Sequence, residues 1–243
     1  MRKLALMIYG PPGAGKGTQA NLLAWRKNFI HFDTGKYLEQ LVHDPNLKND
    51  KVIRRERKLF DSGILMTPSF VLKVTSDKTK EIAKAGFNVI FSGSPRTLFE
   101  ALGDTSADLR KLNADKRGNK QKGLIDILEE LYGKKNIYPV FLKIDPTVSI
   151  QRNKNRLVCG VCANAVLYND ASHWHKTCPL CGAELRRRVV DNPKVFKTRI
   201  QEYQKRTFPI LEGLKKRGYK IINIDGSPLP YKVHQQILKK LPI

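Results

Sequence analysis

A glycine-rich segment between an apolar strand and a helix constrains the fold of this chain more than any other feature. Residues 4–9, Leu-Ala-Leu-Met-Ile-Tyr, are apolar on both faces, which is typical of a central parallel strand. Gly10-Pro-Pro-Gly-Ala-Gly-Lys-Gly-Thr18 follows directly, and a helix is predicted from about Lys16 to Arg26. In such a strand–loop–helix unit, backbone N–H groups and the helix N-terminus surround an anion. The sequence therefore predicts a phosphate-binding loop.

The residues of this loop have separate predicted roles in binding ATP. Lys16 reaches the terminal phosphates, and the Thr18 hydroxyl lies near Mg²⁺. Glycines let the backbone amides turn toward the anion, and the loop has four, Gly10, Gly13, Gly15 and Gly17. The alternative is a glycine-rich turn that only joins strand to helix. The agreement of motif, strand and helix favours the phosphate loop.

Strand and helix patterns alternate along the rest of the chain. Residues 35–62 read as two short polar helices, and Thr67-Pro68 predicts the start of a helix that ends near Gly86. Further buried strands are predicted at 87–91, 138–144 and 220–224. This order predicts a parallel sheet with helices on both faces. The polar segment 107–122 is predicted to be a surface loop or a frayed helix, and no chemistry is assigned to it.

Length and charge limit the class of protein and its partners. The 243 residues suit one large α/β domain with an inserted module. The first apolar run, six residues long, is too short for a membrane span or a signal peptide, so we expect a cytoplasmic protein without membrane contact. The formal charge of +23 favours polyanions such as nucleotides or RNA. A solvated basic surface is the alternative reading of the same charge.

Four cysteines in two close pairs predict a structural zinc site. The pairs are Cys159-x-x-Cys162 and Cys178-x-x-Cys181, separated by fifteen residues. Four thiolates close a tetrahedral shell and leave no position for water, so the metal would hold a small segment together. His173 and His175 lie inside the loop and could replace a ligand. Two disulfides, or four unlinked thiols, remain the alternatives.

Six motifs, in order along nearly the whole chain, resemble the adenylate kinase family. The loop ending Gly-Lys-Gly-Thr-Gln19 is similar to the family's opening, and His31-Phe-Asp-Thr-Gly35 resembles the start of its module that binds the nucleoside monophosphate (NMP). Ser92-Gly-Ser-Pro-Arg-Thr97 resembles the family's Asp-Gly-Phe-Pro-Arg-Thr. Three further matches are the pair Arg152 and Arg156, the stretch from Cys178 through Arg188, Asp191 and Arg199, and Ile224-Asp-Gly226.

The resemblance implies a P-loop NTPase fold with a five-stranded parallel sheet flanked by helices. The core would comprise 1–29, 63–155 and 188–243, with an NMP-binding module at 30–62 and a zinc-bearing lid at 156–187. The implied protein is a monomeric kinase that transfers the γ-phosphoryl group of ATP, bound with Mg²⁺, to an NMP, with AMP as the first expectation.

The resemblance also assigns residues to roles. Lys16, Arg96, Arg156, Arg188 and Arg199 would be catalytic, Arg152 would bind ATP with the loop, and Thr34, Arg96, Glu100 and Asp191 would bind the acceptor. Phosphoryl transfer needs positioning and positive charge around the phosphate oxygens, and the planar guanidinium of arginine binds phosphate in a bidentate way. For any one arginine, a solvated surface position is the alternative.

The chain departs from the family where the acceptor and Mg²⁺ would bind. Ser92 and Lys36 stand where the family has acids, Glu39 replaces an arginine, and Asp33 lies close enough in sequence to compensate. Glu100 replaces a glutamine that reads adenine, and a carboxylate accepts from an amine but cannot donate, which favours adenine or cytosine. Two other functions stay open. One is a nucleotide-dependent RNA-binding protein with a degenerate kinase site and weak, nonspecific RNA binding; the other is a structural P-loop protein that binds ATP without turnover.

Overall fold

The structure, a computed structural model, describes residues 3–103, 121–162, 164–166, 176–187 and 193–242. The helices are α1 (Lys16–Lys27), α2 (Thr34–Val42), α3 (Lys51–Asp61), α4 (Pro68–Lys84), α5 (Leu98–Leu102), α6 (Leu124–Tyr132), α7 (Pro146–Lys154), α8 (Pro193–Glu202), α9 (Ile210–Lys216) and α10 (Pro230–Lys240). The strands are β1 (Ala5–Tyr9), β2 (Phe29–Phe32), β3 (Asn88–Phe91), β4 (Ile137–Lys143), β5 (Leu157–Cys159), β6 (Ala165–Val166), β7 (Leu185–Arg186) and β8 (Ile222–Asp225).

Within these residues, five parallel strands form the main sheet in the order β2-β3-β1-β4-β8. β1 is the central strand, and all five of its side chains are buried. Ala5, Met7 and Tyr9 pack into the core on one face, and Leu6 and Ile8 into the core on the other. The uninterrupted apolar run therefore arises from burial on both faces, and the predicted fold class is confirmed.

Helices cover both faces of this sheet. α4, α6 and α9 contribute to one hydrophobic core, and α1 and α10 contribute to the other. A third, smaller core joins α2 and α3 to the start of α4 through Leu38, Val42, Ile53, Met66 and Val71. The stretch 34–61 thus has its own apolar contacts. The proposed division of the chain into core, NMP-binding module and lid stays a prediction.

The sequence located four of the five strands of the main sheet to within about two residues. β3, β4 and β8 lie at Asn88–Phe91, Ile137–Lys143 and Ile222–Asp225. The four-residue edge strand β2 is paired with β3 in register, but its pattern Phe-Ile-His-Phe is too short and too polar to identify alone. Most of the polar segment 107–122 lies outside the described residues.

A second, three-stranded antiparallel sheet lies between α7 and α8 along the chain, in the order β6-β5-β7. Its strands have only two or three residues each, too few to build a core by themselves. Among the described helices, none has the length and apolarity needed to cross a membrane.

Candidate active site

The loop after β1 has the backbone of a phosphate-binding loop. Gly13 has φ +86°, and a Cβ there would lie 2.2 Å from Asn153 Nδ2 and 2.8 Å from Ser149 O. Gly10 is equally restricted, since a Cβ would lie 2.8 Å from Leu142 O. The Ser149 hydroxyl donates to Pro12 O at 2.5 Å, so α7 supports the loop from behind. The glycines are thus required by close packing as well as by the turn.

Lys16 lies inside the curve of this loop. Its Nζ donates to Gly10 O at 2.8 Å and to Pro11 O at 2.9 Å. Burial, followed by the positive charges of Arg96, Arg199 and Arg156, lowers the pKa of Lys16 from 10.5 to about 7, while Asp33 opposes the shift. Burial and the neighbouring positive charges thus destabilise the protonated form of Lys16, and a bound anion would stabilise it.

Three arginines from distant parts of the chain therefore come together around Lys16. Arg96 follows β3, Arg156 follows α7, and Arg199 lies on α8. Each one is near enough for its charge to lower the pKa of Lys16. Such a cluster of cations costs folding free energy through like-charge repulsion, and a polyphosphate would relieve that repulsion. The structure thus brings together four of the predicted cationic site residues.

Arg96 is held on several sides. Its backbone N–H donates to Glu100 Oε2 at 2.8 Å, and its Nε donates to Gly93 O at 2.6 Å. Its Nη2 lies 3.3 Å from where a Cβ on Gly35 would stand and 3.2 Å from where one on Gly93 would stand. The guanidinium therefore occupies a gap between two glycines, and a side chain at either would displace it.

A pocket opens next to Arg96, between the main sheet and α2, α3 and α4. It is lined by Gly35, Leu38, Phe60, Ile64, Leu65, Met66, Val71, Ser94, Arg96 and Glu100. Two hydroxyls, that of Ser94 at the pocket and that of Thr34, which precedes the pocket residue Gly35, are buried and make no hydrogen bond to the residues that the structure describes. Buried hydroxyls without partners are uncommon, and a polar ligand in the pocket would satisfy them.

Glu100 has a structural role that the sequence did not reveal. Its carboxylate accepts hydrogen bonds from the Arg96 amide at 2.8 Å and the Thr97 hydroxyl at 3.1 Å. Burial raises the pKa of Glu100 to about 7, although both hydrogen bonds and the charges of Arg96 and Arg206 favour the ionised form. Glu100 therefore fixes the backbone of Arg96, and its side chain also lines the pocket.

The predicted ATP ligand Arg152 lies on α7 and is bound to the loop that follows β8. Its Nη1 donates to Gly226 O and its Nη2 to Ser227 O, each at 2.8 Å. Arg152 thus holds the 226–228 loop in place. Unlike Arg96, Arg156 and Arg199, Arg152 is not among the groups whose charge shifts the pKa of Lys16.

A chain of hydrogen bonds joins His31, Ser92 and Asn21 at the end of β3. His31 Nδ1 lies 2.6 Å from Asn21 Oδ1, which can only accept, so Nδ1 carries the proton. Burial lowers the pKa of His31, and its neutral Nε2 accepts from the Ser92 hydroxyl at 2.7 Å. No local sequence pattern predicts this arrangement, because Ser92 is 61 positions from His31 along the chain.

Lys36, which departs from the family, and Asp33, which could compensate for it, lie at the start of α2. Asp33 caps the helix by accepting from the Lys36 amide at 3.2 Å, and its charge is the one carboxylate charge that acts on Lys16 among the described groups. Lys36 is near enough to His31 for its charge to lower the histidine pKa. Although position 36 carries a lysine, the carboxylate of Asp33 is therefore near enough to the loop for its charge to act on Lys16.

The four cysteines form a compact cluster. Their sulfur atoms all lie within 4.8 Å of one another; Cys159 and Cys181 are 3.4 Å apart, and Cys162 and Cys178 are 3.6 Å apart. In a tetrahedral site with Zn–S bonds of about 2.3 Å, neighbouring sulfurs would be about 3.8 Å apart. The thiols are free, which argues against the disulfide alternative.

Backbone amides point at one sulfur in each cysteine pair. The N–H groups of Val161 and Cys162 donate to Cys159 Sγ at 3.3 Å, and that of Leu180 donates to Cys178 Sγ at 3.4 Å. Burial opposes ionisation, but these amides and the neighbouring thiols bring the pKa of Cys159 down to about 6. The chemistry and geometry of the donor set fit a tetrahedral metal bound by thiolates.

Arg188 and Asp191 lie outside the described residues, as do His173 and His175. The remaining predicted site residues are placed. Lys16, Arg96, Arg156 and Arg199 form one cluster, and Glu100 lines the adjacent pocket, with Thr34 next to the lining residue Gly35. Arg152 contacts the 226–228 loop instead, and the four cysteines form a separate cluster.

The fold and this site define a P-loop protein built to bind phosphate groups, and a family model described as an AAA domain matches residues 9–117. Similarity to curated proteins extends much further. The chain is 29% identical to the adenylate kinase of Paracoccus denitrificans over 238 residues, 96% of this chain and 95% of the other. It is 28% identical to the adenylate kinase of Caldicellulosiruptor bescii over 90% of both chains. It is also 28% identical to that of Caldanaerobacter subterraneus, over 98% of this chain and 96% of the other.

These matches confirm the resemblance to the adenylate kinase family that the motifs indicated. Because they extend over nearly the entire length of each protein, they include the strands, the loop and the cysteine segment together. These relatives indicate an ATP-dependent phosphotransferase of the nucleoside monophosphate kinase class.

Proposed function

We propose that this chain transfers the γ-phosphoryl group of ATP to AMP. The observation that carries the proposal is the convergence of Arg96, Arg156 and Arg199 on Lys16 at the phosphate-binding loop. Phosphoryl transfer passes through a transition state with charge spread over the phosphate oxygens, and positioned cations stabilise it. The pocket beside Arg96, which Glu100 also lines, is the proposed position of the acceptor next to that cluster.

The two nucleotides would bind on opposite sides of this cluster. Lys16 and the loop amides would hold the ATP phosphates, and Thr34 and Arg96 would hold the AMP phosphate. Arg152 would act on the ATP side by fixing the 226–228 loop, to whose carbonyls it donates. Arg156 and Arg199 would neutralise the phosphoryl group in transit. The predicted roles of Arg188 in transfer and of Asp191 in acceptor binding stay part of the proposal.

Mg²⁺ fits this site with a reduced set of carboxylates. Mg²⁺ in nucleotide sites is held by one or two carboxylates, substrate phosphates and water. Asp33, whose charge acts on Lys16, can supply the carboxylate, and the Thr18 hydroxyl lies in the first turn of α1. When bound, the ion would neutralise charge on the ATP phosphates. Ser92 offers a neutral oxygen because its proton is directed to His31.

Glu100 favours a base that carries an exocyclic amine. An ionised carboxylate accepts hydrogen bonds and donates none. Adenine and cytosine present an amine to such a group, whereas guanine and uracil present a carbonyl oxygen at the corresponding position. The burial of Glu100 beside the pocket supports this role, because an unmatched polar contact costs about 1–3 kcal/mol there.

The cysteine cluster would bind structural Zn²⁺ and give a small lid its fold. Its sulfur geometry and the short strands beside it support this assignment, since the segment has little core of its own. Closure of the lid would exclude water, which otherwise competes with AMP for the phosphoryl group. A monomeric state and a cytoplasmic location stay predictions.

A panel of acceptors tests the proposed activity. Purified protein is given ATP and Mg²⁺ with AMP, CMP, UMP, GMP or dAMP in turn, and the diphosphate products are separated by chromatography. We expect the highest kcat/KM with AMP and lower values with GMP and UMP. Preference for UMP or GMP would contradict the role of Glu100, and no diphosphate with any acceptor would contradict the kinase.

A second candidate function, nonspecific RNA binding, is favoured by one surface of the acceptor module. Lys51, Arg54, Arg55 and Lys58 are exposed on α3 at spacings that place them on one helix face. Such a stripe would bind phosphates of any sequence, with affinity falling steeply as salt rises. Replacing Lys51, Arg54 and Lys58 by Gln should then weaken RNA binding and leave kcat unchanged. Equal RNA affinity in the variant would exclude this surface.

A further inference from the structure

The helix that carries Arg199 changes its geometry just beyond that residue. α8 continues past Glu202 into a π-helical turn over Tyr203–Thr207, in which the Phe208 amide donates to Tyr203 O at 2.8 Å. A π-turn holds one residue more than an α-turn, so it rotates the following side chains by roughly 100° relative to an unbroken helix. π-turns are uncommon and are frequent at functional sites.

This turn brings Thr207 to the backbone of Arg96. The Thr207 hydroxyl donates to Arg96 O at 2.8 Å, across 111 positions of sequence. Arg96 is therefore bound at its amide by Glu100, at its Nε by Gly93 O and at its carbonyl by Thr207. Of these three contacts, the one from Thr207 links Arg96 to the helix of Arg199.

The same helix is fixed on its other side by the segment between α3 and α4. A Cβ on Gly63 would lie 2.6 Å from Val195 Cγ1 and 3.5 Å from Arg199 Cγ, so the backbone at Gly63 packs directly on α8. The Leu65 amide donates to Glu202 Oε2 at 3.4 Å. This packing limits sliding and rotation of α8.

We propose that Thr207 is a positioning residue that sets the placement of Arg199 relative to Arg96. Both arginines act on Lys16 from different elements, and the Thr207 hydrogen bond links those elements directly. The inference rests on the proposed function of the two arginines in phosphoryl transfer. A misplacement of one guanidinium weakens transition-state binding more than ground-state binding, so the loss should fall on kcat.

Two substitutions at Thr207 separate positioning from general stability. Thr207→Val removes the hydroxyl and nearly preserves shape, and Thr207→Ser keeps the hydroxyl. Thr79→Val is the matched control, because the buried Thr79 hydroxyl also donates to a backbone carbonyl, Thr75 O, at 2.7 Å, but within α4. We expect Thr207→Val to lower kcat about tenfold with an unchanged KM for ATP, which corresponds to about 1.4 kcal/mol. Thr207→Ser and Thr79→Val should stay within about twofold of wild type.

A double-mutant cycle with Arg199→Ala identifies the residue through which Thr207 acts. If Thr207 places Arg199, then Thr207→Val should have little further effect once the Arg199 guanidinium is gone. Fully additive losses, equal losses in Thr207→Val and Thr207→Ser, or wild-type kcat in Thr207→Val would each overturn the inference. Wild-type kcat in Arg199→Ala would instead refute the proposed role of Arg199, and the inference with it.

Discussion

The guanidinium of Arg96 packs against the backbone of Gly35, so closely that a Cβ on the glycine would lie 3.3 Å from Arg96 Nη2. This contact joins the start of α2 to the loop after β3. It places α2 in direct contact with an arginine that is also held by Glu100 and Gly93. Substitutions at Gly35 therefore probe Arg96 without removing its charge.

We predict that Gly35→Ala displaces the Arg96 guanidinium by a few tenths of an ångström. The expected result is a KM for AMP raised about tenfold, because the acceptor phosphate loses part of its aligned hydrogen bonding. The KM for ATP should change little, and it serves as the internal control. Steady-state kinetics with each nucleotide varied in turn measure both values, and a selective rise in the KM for ATP would contradict this arrangement.

ATP binding is predicted to take up protons above neutral pH. Burial, with the charges of Arg96, Arg199 and Arg156, lowers the pKa of Lys16 to about 7, so most of the ligand-free protein is neutral at Lys16 at pH 8. Bound phosphates raise that pKa again, so binding at pH 8 should take up close to one proton.

Calorimetry in buffers of different ionisation enthalpy measures this proton uptake. Lys16→Met should bind ATP more weakly and without the uptake at pH 8. Equal proton uptake in the variant would show that another group titrates.

The base preference is predicted to depend on pH through Glu100. Burial raises its pKa to about 7, so the carboxylate accepts from an amine above pH 7 and gains a proton to donate below it. The ratio of kcat/KM for AMP to that for GMP should therefore fall as the pH is lowered from 8 to 6.

Glu100→Gln supplies the matched control for this pH dependence. A glutamine carbonyl can still accept from the Arg96 amide, while its NH₂ group donates at every pH. We expect an AMP preference that no longer changes between pH 6 and 8. A pH-dependent preference that persists in the variant would exclude Glu100 as its source.

Loss of one thiol is predicted to release zinc. Cys159→Ser removes a buried sulfur that lies 3.4 Å from Cys181 Sγ, and three thiolates hold Zn²⁺ less tightly than four. Elemental analysis should show metal well below one atom per chain, with ATP binding to the loop nearly retained. Wild-type protein treated with a chelator should behave in the same way. An unchanged zinc content in the variant would refute the site.

Sequence reasoning located the main sheet and the loop because their signals are local. The apolar run of β1 and the glycines after it predict a buried strand and a phosphate loop from a single window of residues. The cysteine cluster could also be predicted from the sequence, because two Cys-x-x-Cys pairs at this spacing are typical of a site with four sulfur ligands.

The remaining features of the site depend on contacts between distant segments. The hydrogen bonds of His31 to Asn21 and Ser92, and of Thr207 to Arg96, connect residues that no local pattern relates. The role of Glu100 as a backbone acceptor was missed for a different reason. The sequence pattern relates Glu100 only to the base of the acceptor, whereas in the structure its carboxylate accepts hydrogen bonds from the Arg96 amide and the Thr97 hydroxyl.

Transfer of label from γ-³²P-ATP to AMP tests the central claim most directly. Wild-type protein with Mg²⁺ should place the label in the β-position of ADP formed from AMP. Lys16→Met should lower that rate about a hundredfold or more, while Lys80→Met, at an exposed position on α4, should match wild type. Label found only in inorganic phosphate, or equal rates in Lys16→Met and wild type, would contradict a cation cluster that acts in phosphoryl transfer between two nucleotides.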